Sequence, residues 1–154
     1  MYILTKIARE ASLDVPFINA GGCAIFALNM AKELAPLRPE IYNISSLIPK
    51  FAKQYSKQKT LLATSCDHVV IKVAGVYLDS NGVAHNKDAV RKPWYGRTFT
   101  KVSLKETQEA VQHKSNWNPK FDRDEYKSVL EEQIKLAVSK NLCPLLKDKF
   151  ITKK

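Results

Sequence analysis

The chain has 154 residues, 45% of them hydrophobic and 26% charged, which is enough for one domain (1–154) with a real core. No apolar run reaches the length of a membrane span, and the N-terminus carries no basic region ahead of a long apolar stretch. Three cysteines without paired spacing do not make a disulfide framework, so a soluble protein of the reducing cytoplasm is expected. The formal net charge is +10, and most of the excess lies in residues 83–154, where 16 Lys/Arg face 9 Asp/Glu. A basic C-terminal half of this kind attracts an acidic protein or nucleic acid, although the basic residues are interleaved with acids as on solvated helix faces.

In chain order, Tyr2-Ile3-Leu4 and Ile7-Ala8 recur at helical spacing, so a short helix is expected over 2–11. Residues 12–19 contain Pro16 and read as loop. Asn19-Ala20-Gly21-Gly22 then leads into Cys23, and an apolar helical pattern runs from there to about Ala35, before Pro36. Ile25, Phe26, Leu28, Met30, Ala31 and Leu34 make this helix apolar around much of its circumference, as a central buried helix would be. Glu40 to Ile44 reads as a short strand, and Phe51 to Tyr55 as a short helix with Pro49 in its first turn.

The clearest β signal is the stretch from Asp67 to Gly82. Two β-branched runs flank Ala74-Gly75, and Ser80-Asn81-Gly82 forms a second turn. A two-residue Ala74-Gly75 turn sets Val73 opposite Val76, Ile71 opposite Leu78 and Val70 opposite Asp79. Side chains alternate along a strand, so His68 and Asp79 become diagonal neighbours on one face, about 7–8 Å apart at the backbone. A three-residue loop would shift this register and make Asn81 the alternative partner. Beyond the hairpin, residues 92–97 read as loop, 98–102 as a strand, 106–113 as a short helix and 116–119 as a turn. Asp122 caps a long amphipathic helix over 122–143 whose apolar face carries Tyr126, Val129, Leu130, Ile134, Ala137, Val138 and Leu142, and Pro144 is expected to end it. The fold class expected is α+β, with the Cys23 helix packed on a small antiparallel sheet.

These elements bring together a chemistry. A thiol in the first turn of a helix lies near the positive end of the helix dipole, which favours the thiolate. An imidazole at the start of a strand can take the thiol proton and later give it to a leaving group. A carboxylate across the hairpin can fix the imidazole's tautomer and orientation. Cys23, His68 and Asp79 are therefore the candidate catalytic residues. The Cys23 N–H and the Asn19 side chain are the oxyanion candidates, and Gly21 and Gly22 would let a substrate approach the backbone. Trp94 and Tyr95, flanked by Arg91, Lys92 and Arg97, could line a substrate groove, stack on bases or anchor a loop to the core. Cys66, His68, His85 and Cys23 lack the paired spacing of a zinc site, so no metal and no cofactor are expected.

Asn19-Ala-Gly-Gly-Cys23 heading a helix, then Asp67-His68-Val-Val-Ile and Tyr77-Leu-Asp79-Ser-Asn-Gly, resembles the papain-like superfamily over residues 15–85. The short spacing from His68 to Asp79 is more similar to its transglutaminase and arylamine acetyltransferase branch, and the whole resembles small papain-like proteins of tailed bacteriophages. The resemblance implies a papain-like catalytic core and a thiol hydrolase, a cysteine peptidase or amidase, acting on a protein or peptide substrate, in the host cytoplasm for a phage-encoded protein. In place of the upstream glutamine of papain-type enzymes, this chain has Asn19, nearer to the cysteine. Two alternatives share these residues: an acyltransferase with the same triad, and a non-catalytic binding protein that uses its basic surface.

Overall fold

The structure is a computed structural model; it describes residues 2–18, 21–45, 68–84, 98–112 and 121–147. Among them are four α-helices and five strands, and the fold class is α+β. Helix α1 spans Tyr2–Ala11 and α2 spans Cys23–Glu33. Strand β1 follows at Glu40–Ser45, and β2 (His68–Val73), β3 (Val76–Asp79) and β4 (Gly82–Ala84) form two successive hairpins. Strand β5 (Thr98–Val102), α3 (Leu104–Gln112) and α4 (Arg123–Leu146) complete the described chain. The expected helix at 51–55, the loop at 92–97 and the turn at 116–119 lie outside the described residues.

All strand pairs are antiparallel, in the order β4-β3-β2-β1-β5. Strand β2 is central and is buried on both faces. Val69, Ile71 and Val73 join the main core with the helices, while Val70 packs on the other side with Ile44 and Tyr77. Burial on both faces is why 68–73 reads as a nearly continuous apolar run rather than an alternation. On that second face, Tyr42, Tyr77 and Phe99 meet with ring centroids 5.0 to 6.1 Å apart.

Helix α2 lies between the sheet and α4, and α1 packs on α4 and on β3 and β4. Every residue of α2 from Cys23 to Leu28 is buried, as are Met30 and Ala31, which is the environment its all-round apolar sequence demands. The helix stops at Glu33, and the chain tightens into a 3-10 turn over Ala35–Leu37 that takes Pro36, so it is shorter than its apolar pattern. Leu4, Ile7, Ala8 and Ala11 bury one stripe of α1.

Two helix ends differ from expectation. Helix α3 begins at Leu104, before Glu106, because Ser103 caps it: the Glu106 N–H donates to Ser103 Oγ at 3.0 Å. Helix α4 starts at its Asp122 cap, whose Oδ1 accepts the Glu125 N–H at 3.1 Å, but Pro144 does not end it. The missing proline N–H falls within the last turn, and Leu145, fully buried, holds that turn onto the core through Leu146. On the expected apolar face Leu130, Ile134, Ala137 and Val138 are buried, whereas Val129 is exposed.

Candidate active site

The β2–β3 hairpin sets the site's geometry. Ala74 and Gly75 have φ of 52° and 79°, the pair of positive values that a two-residue turn matched to the strand twist requires. Val73 pairs with Val76, Lys72 with Tyr77 and Ile71 with Leu78. The expected register is therefore the observed one. It brings His68 and Asp79 together: His68 Nε2 donates to Asp79 Oδ2 at 3.0 Å. The partner is Asp79 and not the alternative, Asn81.

The carboxylate is also held from its other side. The Asn81 backbone N–H donates to Asp79 Oδ1 at 2.8 Å, an Asx turn of the kind aspartate forms with its own chain two residues on. Ser80 and Asn81 form the loop between paired Asp79 and Gly82, and Gly82 has a φ of 114° that a side chain would resist. One oxygen of Asp79 is thus tied to its own turn, and the other is aimed at the imidazole.

Cys23 and His68 each open their element, α2 and β2. Cys23 and Asp79 both act on the His68 ring, and His68 is raised from its usual 6.5 to about 9. Burial is the largest influence on it and acts the other way, disfavouring the charged ring. The Asp79 hydrogen bond and the influence of Cys23, with the charge of the carboxylate, outweigh it. Only 3% of the His68 side chain and 19% of Asp79 are exposed, so water screens this pair weakly. With Nε2 committed to Asp79, Nδ1 is the ring nitrogen left to exchange a proton with the thiol.

Cys23 is 6% exposed and is the first residue of a helix whose N-cap, Gly22, makes no side-chain hydrogen bond. The helix dipole therefore ends on the cysteine without a capping side chain in front of it. Gly21 has a φ of 131°, so its backbone needs a glycine. Gly22 is a different case. Its φ is −100°, and a Cβ there would stand 2.8 Å from the ring of Phe121. The buried ring of Phe121 occupies the space that a side chain on Gly22 would need. Phe121 is remote in sequence, so only the apolar residue before the Asp122 cap hinted at a packing role.

Asn19, Trp94, Tyr95, Cys66, Asp67, His85 and His113 lie outside the described residues. Cys143 is exposed on α4. Among the described residues no three His, Cys, Asp or Glu side chains are grouped to hold a metal ion, and no described helix is long and apolar enough to cross a membrane. An open groove between α2 and α4, lined by Asn29, Glu33, Ser128, Glu131, Glu132 and Lys135, contains none of the three candidate catalytic residues. Comparison with protein-family models, with curated proteins and with solved structures finds no match to this chain.

Proposed function

We propose that this chain is a thiol hydrolase of papain-like type, cleaving a peptide or amide bond through Cys23, His68 and Asp79. The observation that carries the reading is the Asp79–His68 pair, Asp79 Oδ2 at 3.0 Å from the buried His68 Nε2, with Cys23 acting on the same ring. The order Cys, His, Asp and the helix that begins at the cysteine against an antiparallel sheet fit the resemblance drawn from the sequence.

The chemistry follows from the geometry. The Cys23 proton passes to His68, and the Cys23 thiolate attacks the carbonyl carbon. The Cys23 N–H, at the positive end of α2, faces the oxyanion. His68 gives its proton to the leaving amine as the C–N bond breaks, which leaves a thioester on Cys23. Water, deprotonated by His68, attacks the thioester; the acid leaves and the thiol regains its proton. Asp79 keeps the ring oriented and stabilises the imidazolium throughout. This sequence uses no cofactor. With an amine in place of water the same steps make an acyltransferase, and product analysis with and without an added amine separates the two.

The test is iodoacetamide labelling across pH, read for each cysteine by peptide mass spectrometry. Cys23 is expected to label fast well below pH 8, with Cys66 and Cys143 as comparators, and His68→Ala is expected to slow it. Cys23→Ala is expected to abolish turnover of peptide and amide substrates while the fold is kept. A Cys23 that labels no faster than an ordinary thiol, whose pKa is about 8.5, overturns the proposal and leaves the non-catalytic binding protein with a basic surface as the reading.

A further inference from the structure

Gly22 is the last residue before Cys23, and three contacts fix its place. Its N–H donates to the Ile18 carbonyl at 2.7 Å, and its own carbonyl accepts the Phe26 N–H at 3.0 Å. The third contact is Phe121, whose Cε2 and Cδ2 would stand 2.8 and 2.9 Å from a Cβ on Gly22, with the Ile18 Cα at 3.1 Å. The ring leaves no room for a side chain on Gly22 and packs on that side of its backbone.

Phe121 is itself anchored. It is 3% exposed and stands one residue before the Asp122 cap of α4. Its ring lies 6.5 Å from that of Tyr126, the fourth residue of that helix, which is the hydrophobic staple that sets the angle of chain entry. The Asp122 carboxylate and carbonyl accept the N–H groups of Glu125 and Tyr126. The start of α4 is therefore braced, and it presents the ring to the residue that carries the nucleophile.

We propose that Phe121 is a positioning residue for Cys23: its ring presses on Gly22 and holds the first turn of α2 where the thiol meets His68. This rests on the thiol-hydrolase reading for its catalytic consequence, but the contact with Gly22 stands without it. Misplacement of a reacting group by about 1 Å can cost on the order of a hundredfold in rate, so a ring outside the chemistry can matter to it.

The experiment is a cycle of Gly22→Ala, Phe121→Ala and the double variant, with Phe121→Leu as a milder change that keeps an apolar side chain. Two quantities are read: the Cys23 iodoacetamide rate across pH, and amide hydrogen exchange in the first turn of α2. Alanine fits the Gly22 backbone angles, so Gly22→Ala acts through space alone. It is expected to slow Cys23 labelling at neutral pH by about tenfold or more and to move its pH midpoint upward. Adding Phe121→Ala is expected to restore part of the rate, since the ring no longer collides, but not all of it, since the Ile18 Cα stays close. Phe121→Leu is expected to speed exchange in the first turn of α2 more than elsewhere. An unchanged pH profile in Gly22→Ala, or a double variant no faster than Gly22→Ala, overturns the proposal. If wild-type Cys23 is as slow as Cys143, the hydrolase reading falls and the catalytic half of this proposal falls with it. Exchange in Phe121→Leu then still decides the contact: an unchanged first turn refutes it.

Discussion

Asp79→Asn is the sharpest perturbation of the proposed relay. Asparagine has the same shape, and its Oδ1 can still accept the Asn81 N–H, so the turn is kept. What is lost is the negative charge in front of His68 Nε2. His68 stands at about 9, with burial pushing it down and the Asp79 and Cys23 contacts pushing it up by more. An opposite charge at this distance is worth about 1 to 3 pH units, so in Asp79→Asn the His68 midpoint is expected to fall by that amount. The rise from 6.5 to about 9 corresponds to about 3 kcal/mol of folding free energy at about 1.4 kcal/mol per pH unit. The sign follows from the direction. A group whose folded pKa is raised contributes fully below its unfolded pKa, here below about 6.5, and the contribution is lost as pH rises through about 9. In urea denaturation the stability advantage of the wild type over Asp79→Asn should therefore shrink as pH rises through about 9. The unfolded thiol titrates in both proteins, so its effect largely cancels in the difference. NMR titration of the His68 ring gives the midpoint directly. A midpoint in Asp79→Asn within about half a unit of wild type, or parallel stability profiles, would refute the electrostatic account.

The other predictions concern the scaffold that presents these groups. Ala74 sits at a φ of 52°, where asparagine is favoured and alanine is strained. Ala74→Asn should stabilise the protein by about 0.5 to 1 kcal/mol in urea and leave the Cys23 labelling rate unchanged. Ser103→Ala removes the acceptor for the Glu106 N–H. It should cost about 1 kcal/mol in the same assay, and Ser103→Gly less; equal stability of Ser103→Ala and wild type would mean that the α3 cap contributes nothing.

The relay was legible in the sequence because each step in reading it is local. Turn length fixes register, register fixes which side chains are diagonal, and alternation fixes their face, so the sequence alone pairs His68 with Asp79. Local signals had less to offer elsewhere. Strand β4 is three residues long, too short for any periodicity. Helix α3 buries Thr107, Ala110 and Val111, so its apolar pattern begins after its true start, and only the Ser103-x-x-Glu106 spacing marks the cap. Pro144 reads as a stop until the buried Leu145 beyond it is known. The place of β5 beside β1, and the ring of Phe121 against Gly22, depend on residues far apart in the chain, and no local rule brings them together.

The burial of Cys23 and His68, with Asp79 half-buried beside them, argues for chemistry over architecture. An imidazole and a carboxylate removed from water lose several kcal/mol each of hydration, which their mutual attraction only partly returns. An apolar residue in place of His68 would suit its surroundings better. Its partner across β1 is Ile44, and the next residues of its own strand are Val69, Val70 and Ile71. Stability alone therefore gives no reason for a charged ring there, or for an Asx turn that spends one carboxylate oxygen on holding the other toward it. A local departure from good packing, joined to a second residue that makes the departure tolerable, is what a site built to hold a proton in place requires. On this argument His68→Leu with Asp79→Leu should fold at least as stably as either single variant while showing none of the thiol reactivity. If the double variant were instead the least stable of the three, the trio would be part of the framework, and the case for a thiol hydrolase would rest on Cys23 labelling alone.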